Sequence, residues 1–329
     1  MASAQPTPTV VKTSDGRRLA VEVTGAPHGL PVFLLHGTPG SRSGPKPRGI
    51  VLYRMGVRLI CYDRPGYGGS DRHEGRRVAD VAGDVAAIAD HLGFDRFAVV
   101  GRSGGGPHAL ACAALLPDRV TRAAAMVSIA PADASDLDWH QDMTNLNTEE
   151  YRSVDADGSA YAAQLAARAR VTRKNPRSLV EHLRPALCDM DHRVIDDIAI
   201  RRQLTASYRE ATRPGPGGWI DDVTAFRKGW GFDLSTIRVP VRLWHGDADT
   251  FSPVQHTEWL AARIPGAEMQ VQRGAGHFTA VEFLPLILAW LAEARPATVD
   301  SGRPGDGSTP EAPSEWVRVQ HPVHQLPVL

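Results

Sequence analysis

The sequence predicts an α/β fold whose mostly parallel central sheet carries helices on both faces. Short apolar runs typical of buried strands alternate with helix-forming runs over residues 10–130, and this alternation returns over residues 234–294. Between these stretches, residues 131–233 contain helical runs without strand signals. We therefore expect one doubly wound sheet interrupted by a helical insertion, with reactive groups beyond the carboxyl ends of the strands.

The first stretch predicts six strands and three helices. Asp15-Gly16 is a hairpin signal between the first two strands. The one-sided spacing of Val81, Val85 and Ile88 indicates an amphipathic helix. A Gly-rich surface turn is expected over residues 63–71. The strands are predicted at residues 10–12, 18–24, 31–35, 57–62, 96–100 and 120–129, and the helices at 48–55, 78–92 and 108–116.

The remaining elements fall in the insertion, the second stretch and the two ends. Helices are predicted in the insertion at residues 149–153, 160–171, 176–187, 194–210 and 221–228, with a Pro- and Gly-rich break at 213–218. The second stretch predicts strands at 239–244 and 268–271 and helices at 254–263 and 280–294. Residues 1–9 are expected to be flexible, and residues 295–329, rich in Pro, Gly, Ser and Asp, to form a disordered tail.

Composition argues against several classes of partner. Lys plus Arg equals Asp plus Glu, at 37 each, so net charge favours neither nucleic acid nor an anionic membrane. No apolar run approaches the roughly 20 residues of a membrane span, and no basic and apolar export signal begins the chain. We expect a cytoplasmic protein with a small-molecule substrate and with Cys61 and Cys112 as buried free thiols. The oligomeric state, a homodimer included, stays open.

A candidate nucleophile lies in the segment Gly101-Arg102-Ser103-Gly104-Gly105. An apolar strand precedes this Gly-x-Ser-x-Gly pattern and a helix follows it, which is the setting of a nucleophile elbow. The turn is so tight that the serine must take a strained conformation, and the flanking glycines keep side chains out of the gap. The pattern alone is also common in plain loops, so its context and the partners described below carry the interpretation.

A second Gly-rich turn, residues 36–41, follows the predicted strand at 31–35. A serine nucleophile needs two backbone N–H groups aimed at one developing oxyanion. Gly104 supplies one, and Thr38 is the natural second donor because Pro39 has no N–H. His36 in the same turn is expected to be a hydrogen-bonded structural residue, and the alternative for the whole segment is a plain turn.

The serine also needs a base and an acid that orients the base. His277 follows the predicted strand at 268–271, and Asp249 follows the strand at 239–244. The chain order Ser, Asp, His after this type of elbow is the order found in hydrolases. Asp247 and Asp133 are rival candidates for the acid, and a surface-loop histidine is the alternative for His277.

Five motifs jointly resemble the α/β-hydrolase superfamily, in its serine-hydrolase members with a helical cap. The resemblance covers residues 10–294 apart from most of the insertion. It implies an eight-stranded, mostly parallel sheet and an acyl-enzyme mechanism without metal or organic cofactor. The motifs are His36-Gly37-Thr38-Pro39-Gly40, Asp63-x-Pro65-Gly66-x-Gly68-x-Ser70, Gly101-x-Ser103-x-Gly105-Gly106, Gly246-x-x-Asp249-x-x-x-Pro253 and Gly276-His277.

Ser103 and Gly104 narrow the resemblance to a branch. Epoxide hydrolases and haloalkane dehalogenases carry aspartate at the elbow, where this chain has Ser103. The loop at residues 36–41 resembles that of proline iminopeptidases, but these usually carry Trp where this chain has Gly104. We therefore place the chain in an esterase or proline-iminopeptidase-like branch, with an ester as the favoured substrate.

Four residues are candidate substrate contacts. Arg102 either pairs with an acid or makes the rim of the site positive, which would favour substrates with a carboxylate. Trp139, Trp219 and Trp230 supply apolar mass in the insertion, where most such residues are expected to form core and a minority to line a pocket.

These residues predict hydrolysis of a small ester, or of a thioester or amide. A lyase, cyclase or acyltransferase would use the same residues, and water access to the acyl-enzyme would separate it from a hydrolase. A binding protein without catalysis is the third interpretation. Such a protein has no physical need for a complete Ser103, Asp249 and His277.

Overall fold

The computed structural model describes residues 8–293 and 316–318 of the chain. The strands are β1 (Thr9–Lys12), β2 (Arg18–Gly25), β3 (Leu30–Leu35), β4 (Val57–Tyr62), β5 (Phe97–Arg102), β6 (Val120–Met126), β7 (Val241–Gly246), β8 (Glu268–Gln272) and β9 (Val317–Arg318). Within the described residues they form one nine-stranded sheet in the order β1-β2-β4-β3-β5-β6-β7-β8-β9. The eight predicted strands are all present.

Strands β4, β3, β5, β6, β7 and β8 run parallel to one another, whereas β1, β2 and β9 pair antiparallel at the two sides. The central strands are buried on both faces, which explains their nearly continuous apolar sequences. Their carboxyl ends meet at one edge of the sheet. The loops that follow β3, β5, β7 and β8 are therefore brought together.

The helices are α1 (Gly49–Arg54), α2 (Val81–His91), α3 (Gly105–Leu115), α4 (Asn145–Ala156), α5 (Gly158–Lys174), α6 (Arg177–Leu183), α7 (Asp189–Asp196), α8 (Ile198–Ala211), α9 (Gly217–Phe226), α10 (Val254–Ala261) and α11 (Ala280–Ala292). Side chains of α2, α3 and α10 share one core cluster with the sheet, and those of α1 and α11 share another. Because successive residues of a strand point to opposite faces, Val99 lies in the first cluster and Val100 in the second.

The insertion between β6 and β7 contains helices α4 to α9, and it supplies most of a third apolar cluster, which also includes Tyr67 and Phe278. One helix predicted over residues 194–210 is in fact two, α7 and α8. Asp197 ends the first and caps the second, because its carboxylate accepts hydrogen bonds from the N–H groups of Ala199 and Ile200. An Asp within a helical run can lie inside one helix or cap the start of another. The sequence pattern alone did not distinguish these two cases.

The turn after β4 is also different from the expectation. Residues 63–68 are buried rather than at the surface. Helix α9 packs directly on this turn, where the Gly218 N–H donates to the Gly66 carbonyl at 3.3 Å. The sequence could not show that the insertion folds back onto this loop.

The two ends of the chain differ in part from the expectation. Residues 1–7 of the expected flexible segment lie outside the described residues, whereas Thr9 belongs to β1. Most of the expected disordered tail also lies outside them. Its residues Val317–Arg318 instead extend the sheet by pairing with β8. Cys61 and Cys112 are buried free thiols, as predicted.

Candidate active site

Ser103 occupies the turn between β5 and α3 with a φ of +56°, a conformation that non-glycine residues rarely adopt. A Cβ atom at Gly101 would overlap the carbonyl of Gly105, and one at Gly105 would overlap the carbonyl of Leu35. Glycine is therefore required on both sides of the serine. The Ser103 N–H donates to the Met126 carbonyl at 2.9 Å, which fixes the turn to the neighbouring strand.

Ser103 lines a cavity of about 100 Å³ between the carboxyl edge of the sheet and the insertion. Sheet loops contribute Thr38, Gly104 and His277 to the cavity wall. The insertion contributes apolar side chains, among them Leu146, Leu183, Trp219, Val223 and Phe226. The predicted serine, histidine and loop glycine thus line one cavity.

Asp249 and His277 lie together at the ends of β7 and β8. The Nδ1 atom of His277 is 2.8 Å from Oδ2 of Asp249. The other carboxylate oxygen of Asp249 accepts hydrogen bonds from the N–H groups of Phe251 and Ser252, at 2.8 and 3.1 Å. Burial opposes ionisation of Asp249, yet His277 and His245 beside it hold the pKa of its carboxyl below the usual range. A carboxylate so placed accepts the Nδ1 proton of His277 and leaves Nε2 free as a base.

Two neighbours that sequence reasoning missed support this pair. The hydroxyl of Ser252 lies 2.9 Å from the Val127 carbonyl oxygen and 3.2 Å from Oδ2 of Asp249. His245, fully buried, lies with Nε2 2.5 Å from the Ser252 carbonyl, to which it donates, and with Nδ1 2.6 Å from Thr257 Oγ1. Both residues lie close to Asp249 in the sequence, and this proximity is the signal that could have identified them.

Ser103 and His277 line the same cavity but share no hydrogen bond within residues 8–293 and 316–318. Hydrogen bonds of this kind are often long without substrate and shorten when it binds. The structure therefore brings the two side chains to one space without joining them.

Thr38 and Gly104 are also neighbours. A Cβ atom at Gly104 would overlap the Thr38 side chain and reach within 3.0 Å of Phe226. In the described part of the chain, neither the Thr38 N–H nor the Gly104 N–H has an acceptor. Thr38 and Gly104 both line the cavity, so two N–H donors without an acceptor belong to residues of its wall.

A buried cluster of charges anchors Thr38 from the insertion. Asp222 of α9 accepts hydrogen bonds from Thr38 Oγ1 at 2.6 Å, Tyr67 Oη at 2.9 Å, Arg64 Nη2 at 2.5 Å and Arg76 Nη2 at 2.6 Å. Burial opposes its ionisation, but Arg64 and Arg76 hold the pKa of the Asp222 carboxyl well below its usual range. No sequence signal pointed to this cluster, since its members are up to 184 residues apart.

The rival candidates lie elsewhere. Asp247 is exposed and its Oδ1 accepts the Gly274 N–H at 2.6 Å. Asp133 is exposed beside Gly229. His36 is buried between the Gly37 carbonyl and the Arg64 N–H, at 2.8 and 3.1 Å. Burial and the Arg64 guanidinium hold the pKa of His36 well below its usual value, which fits the structural role expected for it.

Of the three candidate tryptophans, the cavity wall includes only Trp219 among the described residues. The expectation for the other two is corrected. Trp139 donates to the Ala130 carbonyl at 3.0 Å and packs edge-on against Tyr151. Trp230 stacks on Phe232 in a separate groove. Both therefore contribute to packing, as most large apolar residues do.

Two absences hold for residues 8–293 and 316–318, the part of the chain that the structure describes. No three His, Cys, Asp or Glu side chains are grouped there so as to hold a metal ion. Nor is any helix among them long and apolar enough to cross a membrane.

Comparison with known proteins gives a family and distant relatives. A family model described as alpha/beta hydrolase fold matches residues 31–283. A 2-hydroxymuconate semialdehyde hydrolase of Pseudomonas putida is 27% identical over 277 residues, which cover 81% of this chain and 88% of the relative. A proline iminopeptidase of Xanthomonas citri is 36% identical over 107 residues. That match spans 32% of this chain and 34% of the iminopeptidase, about a third of each.

Solved structures give the same architecture. A bromoperoxidase from Bacillus anthracis superimposes with a TM-score of 0.65 at 21% identity, covering 87% of this chain and 99% of that one. An esterase from Thermogutta terrifontis gives 0.63 at 24% identity, with 87% and 98% covered. At these identities the likeness is one of fold.

Proposed function

Because the chain belongs to the α/β-hydrolase fold family, we propose that it is a serine hydrolase that cleaves a small ester. Ser103 is the proposed nucleophile, His277 the base and Asp249 the acid that orients it. Thr38 and Gly104 supply the backbone N–H groups of the oxyanion hole. The proposed reaction uses these five residues and needs no metal or organic cofactor.

The observation that carries the proposal is the combination of Ser103, His277 and Asp249 at one edge of the sheet. A serine held at positive φ lines the same cavity as a histidine whose Nδ1 lies 2.8 Å from a buried carboxylate. Strain of this kind persists only where the surrounding structure imposes it, and it concentrates at functional sites. The two unpaired N–H groups beside Ser103 add the expected electrostatic support.

In the proposed first step, Ser103 Oγ attacks the ester carbonyl carbon while His277 Nε2 takes the hydroxyl proton. The Thr38 and Gly104 N–H groups stabilise the negative charge that develops on the carbonyl oxygen. The carbon–oxygen bond to the leaving alcohol then breaks, and His277 gives that alcohol its proton. The product is an acyl-enzyme and neutral His277.

In the second step, a water molecule attacks the acyl carbon and gives a proton to His277. The bond between the acyl carbon and Ser103 breaks, and His277 returns the proton to Ser103 Oγ. The carboxylic acid leaves and the enzyme is restored. Asp249 remains ionised throughout and stabilises the imidazolium that forms in each step.

The dimensions of the cavity favour a small substrate. Its volume of about 100 Å³ lies below the 300–1,000 Å³ usual for sites of drug-sized ligands. The relatives carry names as different as hydrolase, proline iminopeptidase and non-heme chloroperoxidase, so their names do not select a bond. Gly104 stands where the iminopeptidase pattern usually has Trp, and the position has no room for one.

Labelling with a fluorophosphonate followed by peptide mapping tests the nucleophile. We expect the label on Ser103 of the folded chain and hydrolysis of p-nitrophenyl acetate and butyrate. Ser103→Ala should lose both labelling and turnover. Ser235→Ala is the matched control, because this exposed serine does not line the cavity, and it should keep both.

The outcomes separate the proposal from its alternatives. Labelling of Ser103 with acyl transfer to an added alcohol, but no release of acid, would favour a non-hydrolytic enzyme. A folded protein that neither reacts with the probe nor turns over esters would favour a binding protein.

A further inference from the structure

Arg102, the residue before the nucleophile, carries a guanidinium without a partner. Within the described residues it makes no hydrogen bond and has no carboxylate within 4.0 Å, and its Nη1 atom is enclosed without an acceptor. The group lies 6.0 Å from the centre of the Phe278 ring. Burial lowers the pKa of Arg102, whereas Tyr208, Asp191 and Asp249 act against that effect at longer range. The pairing with an acid that the sequence left open is therefore not what the structure contains.

The two carboxylates that act on Arg102 at longer range are already engaged. Asp249 holds His277. Asp191 of α7 accepts hydrogen bonds from the N–H and the hydroxyl of Thr279, at 2.8 and 2.7 Å. Neither carboxylate can turn to Arg102 without leaving these donors unpaired. These two carboxylates therefore do not serve as the counter-ion of the Arg102 guanidinium.

Two buried arginines of the chain show what Arg102 lacks. Arg64 and Arg76 both donate to the carboxylate of Asp222. A guanidinium that is partly withdrawn from water and has no negative partner carries an uncompensated desolvation cost. A bound molecule that supplies the negative charge would offset this cost next to the nucleophile.

The other charged side chains of the cavity wall are also compatible with an anionic ligand. Arg102, Ser103, Phe278 and Tyr208 all line it. The remaining ion pair in its wall, Arg168 with Glu150 at 3.0 Å, is neutral overall. Arg102 therefore gives the cavity an excess of positive charge next to the nucleophile.

We propose that this cavity takes esters whose acyl group ends in a carboxylate, such as the half-esters of short dicarboxylic acids. The Arg102 guanidinium is the counter-ion of the free carboxylate, while the ester carbonyl lies at Ser103. This substrate class rests on the proposed hydrolase function. The bonds made and broken are those of ester hydrolysis described above.

Two esters of matched shape test the assignment. Mono-p-nitrophenyl succinate carries the free carboxylate, and p-nitrophenyl 4-methylpentanoate replaces it with an isopropyl group. We expect Arg102→Gln to lower the ratio of kcat/KM for the succinate to that for the 4-methylpentanoate by roughly 10- to 100-fold. Arg102→Lys, which keeps the charge, should lose less of this ratio. Both esters share the reacting carbonyl, so general damage to Ser103 cancels in the ratio.

A binding measurement keeps the proposal testable without turnover. Calorimetry with monomethyl succinate should show Ser103→Ala binding roughly 10- to 100-fold more tightly than the Ser103→Ala, Arg102→Gln double variant. Equal ratios and equal affinities would overturn the role of Arg102 while leaving ester hydrolysis intact. Failure of both esters would count against the hydrolase, and the calorimetry would still decide whether Arg102 binds a carboxylate.

Discussion

The hydroxyl of Thr38 lies 2.6 Å from Oδ2 of Asp222, so the loop after β3 and helix α9 share a buried hydrogen bond. The same carboxylate oxygen accepts Arg64, and its partner oxygen accepts Arg76. The insertion thus supplies the negative charge that neutralises the buried Arg64 and Arg76. It also holds the loop whose N–H group we propose for the oxyanion hole.

Asp222→Asn is expected to lower the free energy of unfolding by about 3–5 kcal/mol, because it leaves two buried arginines without a negative partner. Unfolding in urea, followed by circular dichroism, measures the change. Asp71→Asn is the matched control, since its partner Arg18 is 67% exposed and such a pair contributes about 1 kcal/mol or less. Equal effects of the two substitutions would contradict the role assigned to the cluster.

Local sequence patterns placed the main groups of the site. The glycines around Ser103 and the loops that end in Asp249 and His277 follow directly from short strands, and parallel strands bring their carboxyl ends to one edge. Recognising such a pattern requires no information on contacts between distant parts of the chain. Short-range signals therefore sufficed for strands β1 to β8 and for the position of Ser103, Asp249 and His277 at one edge, but not for β9.

Contacts between distant segments could not be predicted in the same way. Asp222 sits in an amphipathic helical run, and nothing local distinguishes it from a solvated carboxylate. Trp139 and Trp230 were equally indistinguishable from Trp219, because the sequence does not tell which face of the insertion meets the cavity. Both cases depend on how the insertion packs on the sheet.

Gly104→Ala is expected to lower kcat/KM for p-nitrophenyl butyrate by roughly 10- to 100-fold. The added methyl group would overlap the Thr38 side chain and so move one proposed oxyanion donor away from the other. Gly83→Ala is the control: this exposed helical glycine has open space around its Cα. It should keep the activity and gain up to about 1 kcal/mol of stability. Equal kcat/KM values in the two variants would count against the proposed oxyanion hole.

Asp249→Asn is expected to lower kcat by roughly 10³- to 10⁴-fold with little change in KM, because an amide cannot stabilise the imidazolium of His277. Steady-state kinetics with p-nitrophenyl butyrate measures the loss. Asp247→Asn is the matched control, since this exposed residue accepts the Gly274 N–H, a bond that an amide oxygen can also accept. If Asp247→Asn removed the activity and Asp249→Asn did not, the assignment of the acid would be wrong.

Three buried histidines should make the fold sensitive to mild acid. Burial lowers the pKa of His108 and of His256 to about 3, and that of His36 lies well below its usual value. Below the ordinary pKa of about 6.5 the unfolded chain takes up protons that the folded chain refuses. The stability that neutral histidine contributes is therefore complete above pH 6.5 and falls as the pH drops from 6.5 towards 3.

Between pH 6.5 and pH 5, His108 and His256 should each remove about 2 kcal/mol from the free energy of unfolding, and His36 should act in the same direction. Urea unfolding at pH 7, 6 and 5 measures the slope. His256→Gln should lessen the loss by about that amount, because glutamine can accept the Ala130 N–H and donate to the Trp139 carbonyl as His256 does. A slope unchanged by this substitution would mean that His256 does not carry the effect. The measurement is independent of any activity and so stands whether or not the chain hydrolyses esters.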